Sequence, residues 1–355
     1  MRHRTNTLAG LAAGVMLLSA CRGTAPAATP TATATTSTPT ASASPTPVAA
    51  PVITSTTAAQ LHATGSFSAT QVQRLGWSAS GTLWVVSTTR IDAVAPTTGA
   101  LTKVYEVQSP DRILALSPAG IAAVTSGAQG TPVRLVDIAT SKTTQTLATD
   151  GITNAASFFG TKAALVSGDT IGATIWDITS GAKTGTLSGF QTAAPVYNVT
   201  ISPDGARDAW VSRATVQFGD VNANTLGARI QLDDFAGAYA FAPDGNSFAT
   251  ATGVQGTGNA IAGRVQLWDP GTGKEIRRFD QSALFGAVAF APKEHLIATG
   301  GDGFTVWSTD DGKSVGSASV GDAGKVRQIA VSPDGTSIAT VADDGSGKIW
   351  RATAH

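Results

Sequence analysis

The chain has 355 residues, 42% of them apolar and only 14% charged, with 24 basic side chains balancing 24 acidic ones. That length and apolar content suffice for one large domain of all-β type, while the lack of a basic excess argues against a partner bound through its phosphates. One cysteine, Cys21, rules out an intrachain disulfide.

Residues 1–20 read as a signal peptide. Arg2 and Arg4 supply a basic start, and Leu8 to Leu18 is an apolar run too short to span a bilayer comfortably. Leu18-Ser19-Ala20-Cys21 resembles the bacterial lipobox, with the sole cysteine at the required place. The resemblance implies cleavage before Cys21, diacylglycerol on its sulfur and acylation of the new amino group. Two or three acyl chains anchor stably where one binds marginally. The competing reading is an ordinary secretory signal with a chance cysteine. Loss of Arg2 and Arg4 leaves 22 basic against 24 acidic groups. The expected location is the bacterial cell envelope, outside the cytoplasmic membrane.

From Cys21 to residue 58 the chain is almost all Ala, Thr, Ser and Pro. Such a segment lacks the apolar surface that offsets ordering entropy. It is expected to be a disordered, partly polyproline-like stalk, reaching up to about 100 Å at roughly 3 Å per residue.

Beyond the stalk, a Ser/Ala-Pro-Asp-Gly type turn marks successive units. The markers begin at Ser78, Ser117, Ser157, Ser202, Ala242, Ala291 and Ser332, with spacings of 39, 40, 45, 40, 49 and 41 residues. A period near 40 with strand patterning predicts four-stranded propeller blades. Each unit runs in one order: a short apolar strand, the marker turn, and a second strand rich in Ala, Thr and Val. A third strand follows, ending in Trp176-Asp177, Trp268-Asp269, Trp307-Ser308 or Trp350-Arg351. A Thr-Gly type turn then leads to a more polar fourth strand, as expected nearest solvent. The four Trp at third-strand ends are expected to pack between blades.

This pattern resembles the WD-repeat (WD40) β-propeller family over residues 59–355. Trp-Asp itself occurs twice; Val136-Asp137 and Gly219-Asp220 stand in elsewhere, and the family's Gly-His before the first strand is missing. Its buried His-Ser-Asp hydrogen-bond network is therefore expected to be absent. The predicted fold is all-β, a seven-bladed β-propeller of four-stranded antiparallel blades. The last unit stops after its third strand, so Ala59–Phe67 is expected to supply the fourth and join the chain ends, removing an exposed edge.

No His pair or cysteine cluster has metal spacing, and no nucleophile elbow or phosphate loop is present. No cofactor is expected. Asp302, Asp343 and Asp344, before glycines, are expected to stabilise turns. By the resemblance, the outer-to-inner turns and the second-to-third-strand turns share one face. That face would display Gln73, Arg74, Arg112, Asn154, Tyr197, Asn198, Arg327 and Gln328, with Tyr and Arg types favoured at binding hot spots. The Gly-rich insertion Gly253–Gly263 would project there too. The leading expectation is a non-catalytic, monomeric scaffold, held to the membrane at Cys21 and binding an envelope protein or peptide. An envelope enzyme or small-ligand receptor using the central channel is the alternative, His295 with carboxylates being one way to build it; a purely structural envelope component is a third.

Overall fold

The computed structural model describes residues 50–95, 98–167, 172–187, 198–255, 261–281 and 286–353. Cys21 and Tyr197 lie outside them. The described residues form seven four-stranded antiparallel sheets, arranged as the blades of a propeller. Blades one to six each take four consecutive strands, and blade seven takes its outer strand from the other end of the chain. That strand, Leu61–Ser68, pairs antiparallel with Ser346–Ala352, from Leu61 opposite Ala352 to Ser68 opposite Ser346. The chain closes its own ring, as the repeat count required.

Burial follows the strand order. Second strands such as Leu83–Val86, Leu296–Gly300 and Ser337–Ala342 are buried at every position, because both their faces meet neighbouring blades. Outer strands such as Lys142–Leu147 are mostly exposed. The apolar core is seven clusters, one per blade interface. Trp176, Trp268, Trp307 and Trp350 each pack against the preceding blade. Phe67, Leu75 and Ile349 belong to the cluster that joins blade seven to blade one.

The recurrent residues have local jobs. The marker serine accepts the amide that opens the second strand: Ser117 Oγ from Ile121, Ser202 Oγ from Arg207 and Ser332 Oγ from Ser337, at 2.9–3.0 Å. Gly205, Gly245 and Gly335 hold the turn at φ between +70° and +76°, a region that only glycine enters at little cost. The aspartate after the third strand caps the next turn. Asp177 Oδ1 accepts from Thr179 and Ser180, and Asp269 Oδ1 from Gly271 and Thr272.

Three details depart from the sequence expectation. Ser157 is no turn residue; it lies inside the inner strand Thr153–Phe159, and blade three reverses tightly at Gly160-Thr161. The two ends of the Gly253–Gly263 insertion lengthen the second and third strands, Gly253, Val254 and Gln255 pairing with Gly263, Ala262 and Ile261, while residues 256–260 lie outside the described ones. Residues 50–58, read as stalk, are partly built into the domain. Ile53 (2% exposed) and Ala58 (0%) lie in the core of blades six and seven, and Ile53 N–H donates to Gly335 O at 2.9 Å. Pro51-Val52-Ile53 gives this strap the apolar weight that the preceding Ala/Thr/Pro run lacks.

Candidate functional site

The blades divide the connections between two faces. Marker turns and third-to-fourth-strand turns lie on one, and the strap enters there, since Ile53 meets the blade-seven marker turn. The remaining turns, where each inner strand begins, lie on the opposite face and surround the mouth of the central channel.

Every blade has a register shift between its third and fourth strands, and four blades have a second one at this mouth. The inner strands of blades two, three, five and seven each carry a bulge near their start, leaving Leu114, Asn154, Gly237 and Arg327 outside the ladder. A bulge releases backbone groups from pairing and re-aims a side chain. The released carbonyl of Leu114 accepts from Arg74 Nη2 at 3.3 Å, joining blade one to blade two. One blade on, Arg112 Nη2 donates to Thr153 O at 3.2 Å, while its Nε is buried without a hydrogen-bond partner. A Cβ on Gly127 would stand 3.2 Å from the Arg112 guanidinium, so a glycine is needed beside it.

Arg74 is exposed to solvent at the start of its inner strand. Desolvation lowers its pKa, and the Tyr239 hydroxyl acts on it in the opposite direction. Tyr239 belongs to the inner strand of blade five, across the ring, so its reach to Arg74 places both at the channel. Its ring stacks on Phe248 with centroids 6.2 Å apart.

The sequence-predicted rim residues divide accordingly. Arg74, Arg112 and Asn154 converge on the mouth from blades one to three, and Gln73 and Gln328 stand beside it at inner-strand starts. Asn198 opens the inner strand of blade four. Arg327 is committed elsewhere: it pairs with Asp343, which also accepts from Lys325 N. Asp344 Oδ1 caps its turn through Ser346 N, whereas Asp302 pairs with Lys325 at 2.8 Å, so Asp344 holds its turn while Asp302 and Asp343 engage the segment that leads into blade seven. Sequence reading missed Tyr239, the one tyrosine on an inner strand among the described residues, and the free carbonyl of Leu114. The first was visible as an aromatic in an Ala/Gly-rich strand; the second depends on a bulge that no residue type announces.

His295 is not at the channel. It sits on the strap-side face, where its Nδ1 meets Asp310 Oδ1 at 2.7 Å and the carboxylate raises the imidazole pKa. A shallow pocket beside them includes Ser55, Lys293 and Ser308. Among the described residues, no group of three or more His, Cys, Asp or Glu side chains is placed to hold a metal ion.

With this geometry in hand, the relatives are informative. Residues 313–351 match the family described as "WD domain, G-beta repeat". The matched stretch covers the outer strand of blade six and the first three strands of blade seven, ending just past Trp350. Over 201 residues the chain is 29% identical to a "Guanine nucleotide-binding protein subunit beta" of Solanum tuberosum, covering 51% of either chain. The chain thus spans about half the length of that curated relative. Among solved structures it resembles a chain in the crystal structure of a mitotic checkpoint complex. The TM-score is 0.63 at 19% identity, over 92% of this chain and 99% of that one. At that identity the likeness concerns the fold alone. The repeat match and the beta-subunit relative support a WD-repeat propeller.

Proposed function

We propose that this protein is a non-catalytic scaffold that binds a protein or peptide partner at the channel mouth. The observation that carries the reading is the convergence of Arg74, Arg112 and Asn154, from three successive blades, on a mouth framed by bulged strands, with Tyr239 on an inner strand of the same ring. Arg and Tyr are the side chains that dominate protein interfaces when held on a rigid support. The beta-subunit relative and the checkpoint-complex neighbour are named as parts of assemblies, which accords with such a role.

We further propose that the chain is lipid-anchored at Cys21, faces outward from the cytoplasmic membrane of a bacterial envelope, and works there as a single propeller. The lipobox-like Leu18-Ser19-Ala20-Cys21 and the Ala/Thr/Ser/Pro stalk support this. The strap joins the propeller on the face opposite the mouth. Tethering also raises the local concentration of the propeller near envelope partners.

The test is cross-linking in native membranes, then capture of the tagged protein. The comparison is a variant carrying Arg74→Ala and Tyr239→Ala, with folding checked by thermal melting. One envelope protein held by the wild type and lost from the folded variant is the expected result. Equal capture by both would remove the mouth from the function.

A further inference from the structure

We propose that the partner presents an acidic, extended peptide segment, with its carboxylates seated on Arg74 and Arg112. This rests on the scaffold reading and names the chemistry it uses.

The first argument is charge compensation. Several other cations on this face have carboxylates within reach. Arg327 pairs with Asp343, Arg134 with Asp111, and Arg264 with Asp233 and Asp280. Arg74 and Arg112 differ. Among the described residues neither has an acidic partner, and each uses one N–H on a backbone carbonyl of the next blade. A guanidinium has five donors in a fixed fork that suits a carboxylate. Both side chains therefore keep donor capacity, and Arg112 Nε has no partner at all. Beside it Thr153, only 1% exposed, has an Oγ1 that is also buried without a partner. The guanidinium donors not spent on backbone carbonyls, with no acid beside them, favour an anion brought from outside.

The second argument is shape. The Arg74 guanidinium ends at Leu114, two residues from Arg112 on the same strand. Arg112 in turn reaches Thr153 on blade three, so the two guanidinium groups stand on successive blades of the mouth. An extended peptide presents alternate side chains on one face about 7 Å apart, so one acidic strand can offer a carboxylate to each cation. The mouth is walled by inner strands, and Arg74 is near both Leu114 and Tyr239. That suits a single extended chain. Asn154 and Tyr239 add amide and hydroxyl groups that match a peptide backbone.

The experiment uses the mature domain with its strap. A fluorescein-labelled heptapeptide of alternating Glu and Gly is titrated against its Gln counterpart, read by anisotropy at low ionic strength. The wild type should prefer the Glu peptide at least tenfold. Arg74→Gln should cut that preference about fivefold, and Arg74→Gln with Arg112→Gln should abolish it. The doubly conservative pair, Arg74→Lys with Arg112→Lys, should retain part of it. Arg327→Gln, whose charge is internally paired, should leave it within twofold of wild type. Because Arg112 also ties two blades, every variant is melted first, and Arg74→Gln alone decides if the double variant does not fold. Equal binding of the two peptides overturns the proposal. So does undiminished preference in folded Arg74→Gln, or complete displacement by inorganic phosphate at matched charge, which marks a free-anion site only. If a partner is captured at the mouth while the two peptides bind alike, the scaffold reading stands and only the acidic segment falls.

Discussion

Trp176 ends the third strand of blade three with its indole N–H buried and unpartnered. The other blades explain why. Trp268, Trp307 and Trp350 each donate to a threonine on the second strand, Thr250, Thr299 and Thr340, at 2.9 Å. In each case the threonine lies two residues beyond the tryptophan's cross-strand partner, and in blade three that position is Leu165. Thr340→Val keeps the shape and orphans the Trp350 donor. It should cost about 1–3 kcal/mol, measured by urea unfolding. Blade four inverts the arrangement: Trp210 occupies the threonine position and Gly219 replaces the tryptophan. The Trp210 indole then donates to Asp208, a carboxyl only 3% exposed, at 3.1 Å. A Cβ at Gly219 would fall 2.3 Å from Asp208 Oδ1, so the glycine makes room for it. Burial, with Asp220 nearby, pushes the Asp208 carboxyl up to about 7. An acid whose folded pKa is raised binds its proton in the native state while the unfolded chain has lost it. Stability therefore falls as pH rises from about 4 to about 7, and the penalty is constant above that. Asp208→Asn should be the more stable protein at pH 8, by up to about 4 kcal/mol, with the gap closing toward pH 4. Paired melts across that range check it. Third-strand tryptophans were legible in the sequence because they end each repeat. Their threonine partners and the Asp208 environment were not, because both depend on cross-strand register.

Among the strands and turns, repetition made most of the architecture readable. A serine, a proline and a glycine recur at the marker because one hydrogen bond and two backbone conformations recur there. Where the pattern thinned, the reading slipped. Ser157 matched the marker by type alone, with no Pro-Asp-Gly behind it, and the true reversal at Gly160-Thr161 keeps only the positive-φ glycine, at φ +53°. Gly253–Gly263 looked like a loop because glycine is poor in strands, yet its two ends pair as extensions of the second and third strands. The strap was hidden by the composition around it. Ile53 is buried between blades six and seven, and Gly316 approaches so closely that a Cβ there would lie 2.1 Å from Ala58 O. Ile53→Ala should therefore cost about 2–4 kcal/mol, as for other buried aliphatic truncations, and chemical denaturation should show it. Gly316→Val should instead displace the strap, seen as faster proteolysis near residue 55.

Taken whole, the ring was legible by counting: seven units, one of them a strand short, and a spare strand at the other end of the chain. That arithmetic makes Leu61–Ser68 a closure element whose partners are nearly 290 positions away, as in Leu61 against Ala352. Deleting it exposes the edge of blade seven and should collapse the domain as a unit, since each blade is buried by its neighbours; a soluble protein with an unchanged melt would contradict closure. The mouth was legible only in part. Its arginines stand at predictable strand starts, but the bulges and the lack of acidic neighbours belong to the folded ring. At this scale the anchor proposal predicts that Cys21→Ala moves the protein from the membrane pellet to the soluble envelope fraction. The central claim, that partners bind at the mouth and not at the strap-side face, has a direct test. A photo-crosslinking side chain is placed at Asn154 on the mouth, or at Ala223 in a turn of the opposite face, and irradiated in native membranes. A discrete adduct from the Asn154 position and none from Ala223 is the predicted result. The same adduct from Ala223, with none from Asn154, would contradict it.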